Sequence, residues 1–526
     1  MASGEASEDA PLLVDGNNVE AQRVSRPPKL RYVILLLLLG ECLSHSEATI
    51  MFAVGSTIAS RLGDLKMAGW LVMAYTLGSS VAQPLCAKLS DIFGRKSVLL
   101  WSYGMAIVGC ALSAASKALW QIILGRVVTG VGGAGIMIIS AIVVADSVPK
   151  REIAQYRSYI NTAATLGRSL GGPVGGFVMD AFGWQWVFWG RIPLFGISFL
   201  LLVVMLDNES PRDKNSQDNS VKSTWSKLRA IDGIGALLLS VSITTTLLLI
   251  NQPGTNGNGT PFLINSITLA IGLPAFVLYE LYGTKRPIFD LAILSKENVS
   301  LSYLISHFQS VAQLSLMYSV PLYFQATQNA PAATAGAHLV PAVAANTVGS
   351  LLAGLVIRKT GRYKKLLVST SFVGATGFLL LLFRWNGNTS LLESLYIMPG
   401  GFATGVVQSA SFVAMAAFLG PNDISMATGM FFLVSSLGTA VGVGGSDRIT
   451  QLFFRRHLES RLTGPEAAEI IRNVTNDIGA IHKLPSSVSS TVIGSFVDAL
   501  KVTYTFGLSM ATLPSLLSMF LSNSSL

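Results

Sequence analysis

The segment AKLSDIFGRKSVLL, residues 87–100, joins two long apolar runs and decides how the chain is organised. Asp91 precedes Gly94, and the cations Arg95 and Lys96 follow it directly. The pattern predicts a helix that ends near Asp91, a turn at Gly94 and a second helix behind the two cations. The Asp91 carboxylate is then free to pair with those cations or with the N-terminus of a neighbouring helix.

The composition around this segment predicts a protein that lies in a lipid bilayer. Of 526 residues, 51% are hydrophobic and 12% are charged. The mean hydropathy is +0.54, well outside the usual range of a soluble domain. The net charge of +9 is spread over short Lys and Arg clusters between the apolar runs. This distribution argues against a nucleic-acid partner, because such a partner requires one basic patch or arm.

The sequence offers no sign of a metal or a cofactor. Cys42, Cys86 and Cys110 lie in or beside apolar runs without ligand spacing, so we expect free thiols and no disulfide framework. No G-x-x-x-x-G-K-[ST] sequence occurs, which argues against a nucleotide-driven pump. The first apolar run is too long for a signal-peptide core, so residues 1–31 are predicted to stay as a disordered cytosolic tail.

The apolar runs predict an all-α integral membrane protein with fourteen transmembrane helices. Crossing ~30 Å of hydrocarbon takes roughly 20 apolar residues. The runs that meet this requirement lie at residues 32–58, 67–87, 97–116, 119–145, 156–181, 187–206, 230–251, 262–282, 299–326, 337–357, 364–384, 392–419, 427–450 and 491–522.

The positive charges between these runs predict that both termini face the cytosol. The loops after spans 2, 4, 6 and 10 carry clusters of Lys and Arg, whereas the short opposite loops hold few. The cluster assigned to the loop after span 4 consists of Lys150, Arg151 and Arg157. The sequons at Asn258, Asn388 and Asn473 then lie on the non-cytosolic side and are glycosylation candidates.

A polar stretch divides the spans into two groups and predicts two bundles. Residues 32–206 form an N-terminal six-helix bundle, and residues 207–229 form a cytosolic linker. Residues 230–282 provide two additional helices. Residues 283–526 form a C-terminal six-helix bundle with a long luminal loop at 451–490.

Span 1 carries two carboxylates and a histidine near the bilayer centre, in LGECLSHSEATIM, residues 39–51. With a rise of 1.5 Å per residue, Glu41 and Glu47 lie within ~6 Å of the middle of the span, so neither is a surface charge. His45 lies ~40° around the helix from Glu41, and Glu47 lies nearly opposite His45. The three therefore cannot serve one small site without a helix break. Interhelical hydrogen bonding without a transport role is the alternative.

Span 4 places an arginine inside an apolar run, in GRVVTGVGGAG, residues 125–135. An arginine in hydrocarbon costs ~2.5–3.5 kcal/mol on insertion scales, so Arg126 should face the bundle interior and pair with a carboxylate. The alternative is that its side chain extends to the membrane surface.

Span 5 contains GRSLGGPVGG, residues 167–176, in which glycines recur every four residues. The pattern predicts a flat stripe for close helix contact and a kink at the proline, either as a functional motif or as a generic contact. Arg168 beside the stripe either pairs with an acid or lies near the membrane surface. The motif residues are Gly167, Gly171, Gly172, Pro173, Gly175 and Gly176.

These segments resemble motifs of the major facilitator superfamily. Residues 87–96 match its loop signature G-x-L-[SA]-D-x-x-G-R-K except that Ala87 stands at the first position, and residues 357–365 are a weaker echo. Residues 125–135 are similar to its span 4 motif, and the span 5 pattern is similar to that of its proton antiporter branches. With the span count and WQWVFWGRIP at 184–193, the chain resembles the fungal fourteen-span drug:proton antiporter family.

The resemblance implies the major facilitator fold and a proton-coupled transporter rather than an enzyme. The acidic pattern of the family in span 1, L-D-x-T-I-V, matches SEATIM with Glu47 at the acidic position. The resemblance therefore implies that Glu47 binds either a proton or a cationic cargo while two bundles rock around a midplane cavity. Arg126 is its expected neighbour, and Glu41 with His45 is a second titratable pair.

The tail segment EDAPLL, residues 8–13, resembles an acidic dileucine signal that routes fungal membrane proteins to the vacuole. Glu8, Leu12 and Leu13 define it, and a sorting adaptor is the implied partner. The expected function is similar to that of the yeast vacuolar basic amino acid transporters, which move cargo into the vacuole against protons. The alternatives are a plasma-membrane exporter of drugs or toxins, a siderophore transporter, and a nontransporting nutrient sensor.

Overall fold

The computed structural model describes residues 30–62, 68–206, 232–250, 259–284, 291–420, 423–463, 467–476 and 478–522. In these residues the regular structure is helical throughout, and fourteen long helices correspond to the fourteen predicted runs. The helices are α1 (Leu30–Arg61), α2 (Ala68–Phe93), α3 (Arg95–Ala114), α4 (Leu119–Ser147), α5 (Lys150–Phe182), α6 (Ile192–Met205), α7 (Gly233–Ile250), α8 (Thr260–Leu278), α9 (Glu297–Gln328), α10 (Val340–Thr360), α11 (Lys364–Arg384), α12 (Met398–Ala417), α13 (Ile424–Arg461) and α14 (Ser486–Phe520).

Ten of these helices are long and apolar enough to cross a membrane by length and composition. The other four are α2, α5, α9 and α14, which carry more polar residues. In α9 these residues face inward, because Ser302, Ser306, Ser315 and Ser319 are all fully buried. A crossing helix tolerates such serines where they face other helices. The count of fourteen crossings remains a prediction.

The helices pack into two groups and an additional pair. Helices α1 to α6 pack against one another, and helices α9 to α14 do the same. Helix α8 packs on α7, and α7 contacts α2 of the first group and α13 of the second. The additional pair therefore lies beside the seam between two six-helix bundles.

The turn at Gly94 has the geometry that the sequence predicts. Helix α2 ends at Phe93 and α3 begins at Arg95, and Gly94 between them has φ 89°. This left-handed region is open to glycine, whereas a Cβ would be strained there.

Helix α13 continues to Arg461, so the prediction of a loop from residue 451 was wrong. Phe454 and Leu458 are buried in the core of the second bundle. One apolar face is enough to extend the helix past the predicted span, although the sequence around it is too polar to resemble a span. The remaining segment holds two short helices, Ala467–Asn476 and Ile478–Lys483.

In the part of the chain that the structure describes, the two bundles share an apolar core at their predicted cytosolic ends. One cluster joins Val148 of the first bundle to Phe431 of the second. In the opposite half, Val54 belongs to a core made by described residues of the first bundle, and Trp385 to one made by the second. The bundles are therefore closed at the ends that are predicted to face the cytosol.

Candidate functional site

Glu47 lies in the middle of α1 and is buried inside the first bundle, with 1% of its surface exposed. One of its carboxylate oxygens accepts a hydrogen bond from Arg126 of α4, and the other accepts one from Arg191, directly before α6. Arg126 also donates to the Leu71 carbonyl at 3.0 Å, and its guanidinium lies 5.0 Å from the ring centroid of Tyr75. Arg126 thus faces the interior and pairs with a carboxylate, as predicted.

This cluster leaves Glu47 no free oxygen for a cargo cation in the state observed. Both oxygens are engaged by guanidinium groups, and the alternative in which Arg126 extends to the membrane surface is contradicted by its 1% exposure. Sequence reasoning missed Arg191, although its segment, FWGRIP at 188–193, was part of the family resemblance. The sequence feature that could have identified Arg191 is its position as an arginine at the start of an apolar span.

Glu41 and His45 form a separate site, as the helical angles predict. The Glu41 Oε2 atom lies 3.4 Å from His45 Nε2, and His45 Nδ1 lies 3.2 Å from the Arg168 guanidinium. Arginine only donates, so Nδ1 is the acceptor and Nε2 carries the proton that points at Glu41. This assignment makes His45 neutral here. Arg168, whose partner the sequence left open, faces the histidine of α1.

This second site is linked to the opposite bundle by hydrogen bonds. Arg168 Nη2 lies 3.4 Å from the Thr165 hydroxyl, which lies 3.1 Å from the side-chain oxygen of Asn346 in α10. Asn161 donates to the same oxygen at 3.0 Å. A chain of hydrogen bonds therefore connects His45 through α5 to the contact between the bundles.

Arg157 is a buried arginine that sequence reasoning placed in the loop between spans 4 and 5. That placement was wrong, because α5 begins at Lys150 and Arg157 is only 6% exposed. Its guanidinium carbon lies 4.3 Å from the ring centroid of Phe412 and 5.3 Å from that of Phe432, both in the second bundle. Its Nε and Nη1 atoms are buried without a hydrogen-bond partner.

The glycines of the span 5 motif differ in what they contact. A Cβ on Gly167 would overlap the Cys42 carbonyl, and one on Gly171 would lie 2.7 Å from the Ser46 carbonyl oxygen. Gly175 faces Ile50 at 3.0 Å. These three glycines allow α1 and α5 to pack closely. The second row, Gly172 and Gly176, was expected to share that contact, but the contact of Gly172 is of ordinary length and Gly176 faces open space. Helix α5 runs through Pro173 without interruption.

The predicted loop motif ties the predicted cytosolic ends of the two bundles together. Arg95 donates to Asp91 at 2.7 Å, to Asp146 at the end of α4 at 3.1 Å and to Ser425 of α13 at 2.6 Å. Ser425 donates in turn to Asp91 at 2.7 Å. Lys96 does not join this group and donates to a backbone carbonyl at the end of α6. Sequence reasoning missed Asp146 and Ser425, because their roles depend on which helices meet.

Two of the three sequons lie on exposed residues. Asn388 lies in the loop after α11, and Asn473 lies on the short helix Ala467–Asn476. Their use as glycosylation sites remains a prediction. The remaining predicted positions, which are Glu8, Leu12, Leu13, Asn258 and the linker 207–229, lie outside the described residues.

The geometry defines a class of protein. Two six-helix bundles closed at one end, with buried charges at their interface, are typical of secondary transporters that work by alternating access. The chain belongs to the Major Facilitator Superfamily, whose family model matches residues 36–443. It is therefore a membrane transporter rather than an enzyme.

Its relatives include fungal transporters of two kinds. The chain is 30% identical to the vacuolar membrane amino acid uptake transporter fnx2 of Schizosaccharomyces pombe, over 94% of this chain and 84% of the relative. It is 28% identical to the multidrug resistance protein fnx1 of the same yeast, over 90% and 89%. It is 26% identical to the vacuolar basic amino acid transporter 2 of Saccharomyces cerevisiae, over 87% and 97%.

A solved structure has the same fold. The proton:xylose symporter XylE superposes with a TM-score of 0.60 at 14% identity, covering 93% of this chain and 95% of that chain. This likeness confirms the predicted major facilitator fold.

Proposed function

We propose that this transporter moves amino acids, including basic ones, from the cytosol into the vacuole in exchange for protons. One observation carries the proposal. A titratable pair, Glu41 and His45, is hydrogen-bonded through Arg168 to the contact between the bundles. The two relatives named as vacuolar amino acid transporters support the cargo and the compartment.

Protonation of His45 would act on the bundle contact in a definite direction. A proton on Nδ1 removes the acceptor that Arg168 now uses and places a cation against its guanidinium. Arg168 then moves away from His45, which disturbs its contact with Thr165 and weakens the link to Asn346. Proton binding therefore favours separation of α5 from α10. Exchange follows if the cargo ammonium and the proton compete for the Glu41–His45 pair.

Glu47 and Arg126 take part in coupling as a charge cluster that changes partners. A proton on Glu47 would release Arg126 and Arg191, and an arginine that moves away would expose the carboxylate to a proton or to cargo. Arg95 and the three groups that it binds, Asp91, Asp146 and Ser425, act as the cytosolic gate, because they join α2, α3 and α4 to α13. Gly167, Gly171 and Gly175 keep α1 against α5, so that both sites move together.

Replacement of His45 by glutamine should flatten the pH dependence of transport. The amide can still bond to Arg168, but it cannot take up a proton near neutral pH. Exchange rates measured between pH 5 and 8 in proteoliposomes should vary several-fold for the wild type and little for His45→Gln. His307→Gln is the matched control, because His307 bonds within the second bundle, to the Val434 carbonyl at 2.9 Å. An unchanged profile in His45→Gln would remove His45 from coupling.

The vacuolar compartment is tested through the predicted sorting signal. A fluorescent fusion carrying Leu12→Ala and Leu13→Ala should move from the vacuolar membrane to the plasma membrane, because the dileucine pair is the part that an adaptor binds. The wild-type fusion and a Val14→Ala fusion serve as controls. A wild-type fusion at the plasma membrane would favour the alternative, a drug exporter, which the similarity to a multidrug resistance protein supports.

Transport by isolated vacuoles tests the function itself. Vacuoles that contain the protein should accumulate radiolabelled lysine, arginine or histidine when the lumen is acidic, and should stop when the proton gradient is dissipated. Uptake that persists without the gradient would contradict antiport. Accumulation of drugs without transport of any amino acid would show that the cargo is a drug and not an amino acid.

A further inference from the structure

We propose that Arg157 and Glu41 are the two ends of a site for a zwitterionic amino acid, with Arg157 binding the α-carboxylate and Glu41 the α-ammonium. This inference rests on the proposed function and names the residues that would select its substrate class. It begins from two opposite charges that are both buried with polar atoms left unpaired, Arg157 at the bundle interface and Glu41 inside the first bundle.

Arg157 has the chemistry of a carboxylate site. The rings of Phe412 and Phe432 lie close to its guanidinium, and its Nε and Nη1 atoms are buried without a hydrogen-bond partner. A buried guanidinium with unpaired donors carries a desolvation cost that an arriving anion would offset. Its planar donors match a carboxylate in geometry, and a hydrogen bond between the two ions is among the strong ones in proteins.

Glu41 supplies the complementary half. Its Oε2 faces His45 at 3.4 Å, while its Oε1 is buried without a hydrogen-bond partner. A carboxylate oxygen in that position can accept from an ammonium group. Glu47 cannot do the same here, since both of its oxygens are engaged by arginines.

The register of α1 and α5 places the two groups in line along the interface. Gly167 lies against Cys42 and Gly171 against Ser46, so the helices run parallel and Glu41 lies at about the level of residue 166. Arg157 is then nine residues nearer the cytosol, which is roughly 13 Å at 1.5 Å per residue. The charge of Glu41 acts on Arg157 over this separation.

Both bundles complete the Arg157 end of the site. Arg157 belongs to the first bundle, whereas Phe412 and Phe432 belong to the second. When the cytosolic ends separate, the aromatic rings leave the guanidinium and its unpaired donors meet the cytosol. An arriving carboxylate then takes those donors, and closure returns the rings to the guanidinium. The site is therefore formed and opened by the same movement that alternating access requires.

The test compares amino acids with their decarboxylated analogues on the purified full-length protein. Competition against radiolabelled lysine would give affinities for lysine and cadaverine, and for histidine and histamine. The decarboxylated analogue cannot make the buried carboxylate contact. The wild type should therefore bind the amino acid at least tenfold more tightly than its analogue. In Arg157→Gln that ratio should fall close to one. In Glu41→Gln the amino acid and its analogue should both bind more weakly, with the ratio kept.

The matched control is Arg358→Gln. Arg358 of α10 bonds to Gln155 of α5 at 2.7 Å, across the same interface and two residues before Arg157. Its removal disturbs the contact between bundles without touching the proposed site, so the ratio should keep its wild-type value. Arg157→Lys retains a cation but not the planar donors, and should give an intermediate ratio.

Each outcome separates this inference from the function on which it rests. A wild type that binds no amino acid would overturn the proposed function and the site together. A wild type that binds lysine and cadaverine equally would overturn the site alone, whether or not the variants fold. Amino acid binding with an undiminished ratio in folded Arg157→Gln would also overturn the site alone.

Discussion

Glu47→Gln should destabilise the protein severely and abolish transport. The substitution leaves Arg126 and Arg191 buried in the first bundle with a neutral amide in place of their shared anion. Removing one partner of a buried ion pair typically costs about 3–5 kcal/mol, because the remaining charge is uncompensated. The melting temperature of the purified protein and its uptake in proteoliposomes measure the two effects.

A double substitution separates charge balance from loss of a side chain. Glu47→Gln combined with Arg191→Gln removes one of the two unpaired guanidiniums, so part of the lost stability should return while transport stays low. Such recovery is expected when two residues share one network. Glu459→Gln is a surface control, because its pair with Arg455 is more than half exposed and should matter little. A melting temperature in Glu47→Gln equal to the wild type would contradict the buried cluster.

Gly171→Ala should disrupt transport, while Gly176→Ala in the same motif should leave it intact. An added Cβ at Gly171 meets the Ser46 carbonyl at 2.7 Å, and the backbone of α1 must shift to admit it. Overpacking of this kind typically costs about 1–3 kcal/mol. Gly176 has nothing within 4 Å of an added Cβ. Alanine there should be neutral, or stabilising by up to about 1 kcal/mol through helix propensity.

Comparing two substitutions in the same motif isolates the effect of the contact with α1. Both changes add one methyl group to the same helix, so differences in expression or lipid contact largely cancel. Gly167→Ala should behave like Gly171→Ala, since it faces the Cys42 carbonyl. Equal loss of transport in Gly171→Ala and Gly176→Ala would show that the motif acts by helix flexibility and not by contact with α1.

The helices were predictable because hydrocarbon imposes one requirement on every span. A run of apolar residues at Leu119–Ser147 can hardly be anything else, and the turn at Gly94 is fixed by a residue that tolerates a positive φ. The separation of Glu47 from the Glu41–His45 pair followed from helical angles alone. These features depend on short stretches of chain, and a single sequence displays them.

The partners of the charged residues were harder to predict, because they come from distant helices. The position of Arg126 inside an apolar run predicted an acidic partner, but nothing in the neighbouring sequence indicated that Arg191 would bind the same carboxylate. Arg157 was assigned to a loop because positive charges near a span end usually mark the cytosol. The structure buries it instead, since Phe412 and Phe432 arrive from the second bundle. Long-range packing decides such cases.

The most direct test of proton-coupled exchange is a proton-flux measurement on purified protein in liposomes. Lysine added outside liposomes with an acidic interior should drive protons out, reported by a trapped pH-sensitive dye, and radiolabelled lysine should enter at the same time. Glu41→Gln should abolish both signals together. Lysine entry without any change in internal pH, or coupled flux that is undiminished in Glu41→Gln, would contradict the account.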